Sequence, residues 1–281
     1  MTSANAIKPE TFDIPCRDGL FIRGEAYRAE HSLGSVIICH GFKGFAHWAF
    51  FPYLARTLAQ DGLTAITFDF SGSGIGADRE SFAQAEAFAG NTLSRDLEDL
   101  ELIEEYARRK EWITGKFGLF GHSRGGGMAI LFAASEAGNV NSLVTWAAIS
   151  YPNRWSPEDV AIWRKRGHTE ISNSRTGQVM RLETDLLDDV EMNGKTTLNI
   201  AAAAGKIKAP WLIVHGTGDE TVPSSEAEHL HSLSKGMSTL RLIEGANHGF
   251  SATHPLAEIP PVLEKVVLET AKFFVRNATL K

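Results

Sequence analysis

Short runs of apolar and β-branched residues alternate with longer stretches of helical periodicity along most of the chain. Residues 35–39, Ser-Val-Ile-Ile-Cys, form a run of the kind that belongs to a strand buried on both faces. Further strands are predicted over 11–15 and 20–27, paired as a hairpin around Arg17-Asp18-Gly19, and over 64–70, 116–120, 142–149, 210–215 and 239–243. Helical spacing predicts helices over 51–60, 93–109 with Asn91 as its candidate cap, 125–134, 225–233 and 256–276. This rhythm predicts an α/β fold: a mostly parallel, eight-stranded sheet with helices on both faces.

At Tyr151-Pro152 the rhythm breaks. A Trp-containing basic helix is expected over 157–166, a hairpin over 170–183 turning at 173–177, and an acidic stretch follows over 183–191. Alternation resumes at 210, so 151–205 reads as an inserted cap on one core made of 1–150 and 206–281. No internal repeat or low-complexity tract interrupts it.

A chain of 281 residues is long enough for one large α/β domain with such an insertion. Its 28 Lys+Arg against 34 Asp+Glu leave a net charge of -6, which excludes the basic footprint of a nucleic-acid binder. The first ten residues lack a basic stretch followed by an apolar run, and no apolar segment has the length of a bilayer span. A cytoplasmic protein without a membrane partner is therefore expected. Cys16 and Cys39 fall in strand-like segments and read as free, small hydrophobes. Oligomeric state has no signature in the pattern.

The candidate chemistry begins where the strand over 116–120 runs into Gly121-His122-Ser123-Arg124-Gly125, of the form G-x-S-x-G. Small residues on either side of a sharp strand-to-helix turn let the backbone crowd together and expose the serine hydroxyl. The motif alone is weak, because a lone Ser at a helix start more often serves as a cap. Two later residues raise its weight. Asp219 follows the strand over 210–215, and His248 follows the strand over 239–243, so an acid and then a histidine succeed the serine at carboxyl ends of strands. Before the serine, His40-Gly41-Phe42-Lys43-Gly44 follows a strand as well, and a loop there can aim the Phe42 N–H, together with that of Arg124, at an oxyanion.

The segments 40–44, Phe68-Asp-Phe-Ser-Gly-Ser-Gly74, 121–126, 216–219 and Asn247-His-Gly-Phe250 resemble those of the α/β-hydrolase superfamily. Within it, the chain is most similar to the esterase and serine-aminopeptidase-like branch that includes cinnamoyl and feruloyl esterases. The resemblance covers about 11–149 and 210–274, and implies the α/β-hydrolase fold with an inserted cap. Arg124 departs from the Gln, Met or Tyr common after the nucleophile in that family.

On this reading the substrate is a small-molecule ester or related acyl compound. Ser123 attacks the acyl carbon, His248 relays the proton, and Asp219 orients the imidazole. An aminopeptidase or carbon–carbon bond hydrolase would use the same three residues, and a ligand-binding protein could keep the fold without turnover. For a peptidase the acidic stretch 183–191 is the candidate holder of a free amino terminus.

No cofactor or metal is expected. His229 and His231, two apart on a helix, cannot face one ion, and residues 71–76 lack the G-x-G-x-x-G spacing. His40 and His122 read as supporting hydrogen-bonding residues. Trp155 and Trp163 are candidates for the core of the insertion or for the lining of a substrate pocket.

Overall fold

The computed structural model describes residues 7–135, 139–173 and 177–279. In chain order the core contains β1 (Glu10–Pro15), β2 (Phe21–Tyr27), β3 (Gly34–Cys39), α1 (Phe51–Gln60), β4 (Leu63–Asp69), α2 (Ala85–Ala89), α3 (Leu93–Arg109), β5 (Phe117–His122), α4 (Arg124–Ala134) and β6 (Val140–Trp146). A segment with α5 (Pro157–Arg166), β7 (His168–Ser172), β8 (Val179–Glu183), α6 (Asp185–Asn193) and α7 (Ile200–Ala204) follows. The chain then returns to the sheet with β9 (Trp211–Gly216), α8 (Ser224–Leu233), β10 (Ser238–Ile243) and α9 (Pro261–Ala278).

Eight strands form one sheet in the order β1-β2-β4-β3-β5-β6-β9-β10. The pairs β1–β2 and β2–β4 are antiparallel. The remaining pairs are parallel, as the predicted alternation requires. Successive residues of the central strands face opposite sides of the sheet. Ile37, Leu119 and Leu143 join Met128 and Leu230 in one core layer, whereas Ile38, Phe120 and Val144 join Phe51 and Phe274 in the other. Burial on both sides is why these strands read as continuous apolar runs.

Several boundaries differ from the expected ones for physical reasons. Strand β5 runs two residues further, through His122, while β6 stops at Trp146 rather than at 149. Beyond Trp146 the chain bends over the start of α4: Ala147 has φ 48°, and the Ile149 N–H donates to Ser123 O at 3.2 Å. Asn91 is not the cap of α3. Thr92 is, its side chain accepting from Arg95 N, while Asn91 is buried and donates to Asp96. The last helix starts at Pro261, not 256, because Pro260 lacks the N–H that a helix interior needs, whereas Pro261 sits in the first turn.

Between β6 and β9, β7 and β8 pair antiparallel as a separate two-stranded sheet. Their predicted turn at 173–177 lies partly outside the described residues. The acidic stretch folds as α6, which buries Leu186 and Leu187. Its Asp189 accepts from the Ser94 N–H at 2.9 Å and so satisfies an open amide at the head of α3. The small helix α2 was not foreseen, since five residues are too few to show a period. Among the described residues no helix is long and apolar enough to cross a membrane.

Candidate functional site

Ser123 stands between β5 and α4 at φ 56° and ψ -122°, a backbone conformation costing about 1–3 kcal/mol in a non-glycine residue. The turn is held by the Ser123 N–H donating to Trp146 O at 2.9 Å and by Ser123 O accepting from Gly126 N at 3.0 Å. Gly121 and Gly125 are required by close approach. A Cβ on Gly121 would meet Gly125 O at 2.3 Å, and one on Gly125 would meet His40 O at 2.2 Å. The second contact seats the loop after β3 directly against the head of α4.

Asp219 and His248 arrive from the turns after β9 and β10. The His248 Nδ1–H donates to Asp219 Oδ2 at 2.7 Å, which leaves Nε2 as the free face of the ring. Asp219 Oδ1 accepts from the Thr221 and Val222 N–H groups at 2.8 and 3.0 Å. Burial of this carboxyl opposes ionisation, but the bonds from His215, His248 and the Val222 amide outweigh it and hold its pKa well below the ordinary value of 3.8. A permanently ionised Asp219 can then orient His248 and stabilise positive charge on it.

Ser123 and His248 line one cleft of about 600 Å³, with Phe42, Trp48, Phe51, Asn173 and His254 also on its walls. Among the described residues the Ser123 hydroxyl makes no hydrogen bond within the protein; such contacts often tighten only around a substrate. A second pocket of about 270 Å³ meets the first at Phe42, Ser123 and Thr221 and is lined by Leu93, Ile149, Leu186, Val222 and Trp155. Phe42 and Arg124 thus flank Ser123 where the two spaces join. Trp163 is buried to 2% exposure with its ring edge against Trp155, and it packs in the core, whereas Trp155 borders the second pocket.

The side chain of Arg124 turns into the core rather than toward solvent. Its Nη2 lies 2.8 Å from Asp96 Oδ2, and its guanidinium covers the Phe42 ring at 5.4 Å. Burial drives the Asp96 pKa up against the opposing pull of Arg124, and the two form a paired, enclosed unit. The departure at this position therefore leaves the backbone N–H at the elbow and pairs the charge with Asp96.

His40 and His122 are buried supports. The His40 Nδ1–H donates to Gly41 O at 2.8 Å while Nε2 accepts from the Phe70 N–H at 3.2 Å, and burial lowers its pKa to about 4. His122 Nε2–H donates to His248 O at 2.9 Å, and burial, with the nearby His248, lowers its pKa to about 3. Both rings are neutral at pH 7. They pin the loop before Phe42 and the turn carrying His248. His215, whose side chain is fully buried 3.2 Å from Asp219 Oδ2, was missed in the sequence. It ends an apolar strand, and the one available signal was its spacing four residues before Asp219. Among the described residues no group of three or more His, Cys, Asp or Glu side chains is arranged to hold a metal ion.

This architecture has known relatives. The family model described as alpha/beta hydrolase fold matches residues 34–169. A serine hydrolase-like protein of Dictyostelium discoideum is 28% identical over 134 residues, 48% of this chain and 34% of that protein, so the match spans about a third of its length. Est1E from Butyrivibrio proteoclasticus, solved with ferulic acid bound, superposes with a TM-score of 0.72 at 22% identity over 95% of this chain and 98% of that one. An acylaminoacyl peptidase from Pyrococcus horikoshii gives 0.70 at 20% identity, covering 99% of this chain and 43% of the peptidase. With the sheet order and the strand-to-helix elbow, these likenesses identify the chain as a protein of the α/β-hydrolase fold.

Proposed function

We propose that the protein is a serine hydrolase that cleaves carboxylic esters of small or aromatic acids through an acyl-enzyme. The observation that carries this reading is the His248–Asp219 pair, bonded at 2.7 Å, on the same cleft as the strained elbow of Ser123. Ser123 Oγ attacks the acyl carbon as His248 Nε2 takes its proton. The oxyanion then accepts the Phe42 and Arg124 N–H groups, each such donor contributing about 3 kcal/mol to the transition state. His248 returns the proton to the departing alcohol, and water, activated in turn by His248, hydrolyses the ester to Ser123.

The cleft's walls favour an ester over a peptide with a free amino terminus. Trp48, Phe51 and Phe42 offer flat apolar surface, and among the described residues neither the cleft nor the adjoining pocket has a carboxylate on its lining. Three of the acidic residues expected to serve a peptidase are engaged elsewhere: Asp188 and Glu191 with Arg164, and Asp189 with Ser94. The segment 151–205 acts on this reading as a cap, contributing Trp155, Asn173 and Leu186 to the two spaces.

The test is turnover of p-nitrophenyl esters, methyl ferulate and aminoacyl p-nitroanilides by the wild type and Ser123→Ala. Ester hydrolysis that disappears in the variant is the expected result. Activity confined to anilides would move the assignment to a peptidase. No turnover and no labelling of Ser123 by a fluorophosphonate would leave a ligand-binding protein.

A further inference from the structure

His215 is the one side chain with a ring N–H task in the otherwise apolar run from Leu212 to Val214 that leads to the acid turn. Its side chain is fully enclosed, and a buried polar ring is costly unless its groups are used. Nε2 lies 2.8 Å from Val222 O and 3.2 Å from Asp219 Oδ2. Both neighbours are acceptors, so the proton must reside on Nε2. The unprotonated Nδ1 has no partner among the described residues, which costs less than an enclosed N–H in the same place.

We propose that His215 is a positioning residue for Asp219: its Nε2–H, bonded to Val222 O, also lies against the Oδ2 that His248 holds, and it keeps the carboxylate in the orientation that aims His248 at Ser123. Asp219 accepts from two backbone amides on Oδ1 and from His248 on Oδ2, and His215 Nε2 stands 3.2 Å from that same Oδ2. Rotation of the carboxylate would break at least two of these bonds. The same Nε2–H also fastens Val222 O, and the Val222 N–H feeds Oδ1, so one ring fixes the carboxylate directly and through the turn. The proposal rests on the assignment of Asp219 and His248 as orienting acid and base.

His215→Phe keeps the ring shape and removes the N–H. His215→Gln restores an amide N–H at about the reach of Nε2, whereas His215→Asn places its amide near Nδ1 and falls short of Asp219. Measured on p-nitrophenyl acetate, kcat should fall about tenfold in the Phe and Asn variants with KM unchanged, and Gln should recover most of it, as for loss of one hydrogen bond worth a tenfold change in rate. The downfield proton resonance of the His248 Nδ1–H shared with Asp219 should move in Phe and Asn and return in Gln. Equal activity in all variants, or equal loss in Gln and Asn with the resonance unmoved, would overturn the proposal and leave only a turn staple. Should the Phe variant not fold, the Gln–Asn comparison decides. Absence of ester turnover and Ser123 labelling in the wild type would instead refute the hydrolase reading, while the proton resonance still reports on the His215–Asp219–His248 contact.

Discussion

Gly125→Ala tests whether the elbow holds the oxyanion donors through backbone contact. The added Cβ would start 2.2 Å from His40 O and 2.8 Å from Cys39 O, against an ordinary contact of 3.4 Å or more. Relief from His40 alone needs the difference, 1.2 Å, between the head of α4 and the loop leading to Phe42. Both sides are backbone, so no side-chain rotation can supply it. On the proposed mechanism, the Phe42 and Arg124 N–H groups would then no longer converge on one oxyanion. Misplacement of about 1 Å in a catalytic array costs about a hundredfold in rate, close to the effect of losing one oxyanion donor. We therefore expect kcat on p-nitrophenyl acetate to fall about a hundredfold, with a stability loss of about 1–3 kcal/mol from overpacking. Steady-state kinetics and urea unfolding read the two effects separately. A folded variant with kcat within twofold of wild type would refute the claim that this contact sets the donors.

Further expectations concern groups around the site. Asp69 Oδ1 accepts from Ala46 N in the loop after β3, while Oδ2 is buried without a partner among the described residues, and burial raises its pKa from 3.8 to about 7. Between these values the unfolded chain releases a proton that the folded one keeps, so stability falls with rising pH by about 4 kcal/mol in all. Asp69→Asn keeps the acceptor and should flatten that part of the stability curve; urea midpoints at pH 4.5 and 7.5 that differ as in wild type would contradict it. Asp96→Ala leaves Arg124 buried and unpaired and should cost about 3–5 kcal/mol by urea unfolding, with a change under 1 kcal/mol counting against a structural role for the pair. Trp48→Ala opens the aromatic wall of the cleft and should raise KM for methyl ferulate about tenfold while leaving p-nitrophenyl acetate within about twofold. Equal effects on both esters would remove Trp48 from substrate selection.

Much of the sheet was readable from local pattern because its strands are buried on both faces and its helices on one, so each element's period survives in the residue order. Ser35 to Cys39 and the helix over 93–109 were legible for that reason, as was the succession of Ser123, Asp219 and His248 at strand ends. Boundaries were less legible where a distant element ends the ladder: β6 stops because the chain must pass over Ser123, and α9 waits for Pro261. Side-chain direction was not legible at all. Arg124 looks like an exposed charge beside the nucleophile until Asp96, 28 positions earlier, is folded against it. His215 looks like the end of a strand until the turn through Val222 brings Asp219 to its Nε2–H. Residue order carries periodicity and the sequence of turns, because these depend on near neighbours. Hydrogen bonds and ion pairs between distant segments depend on how the layers close, and they exist only in the packed fold.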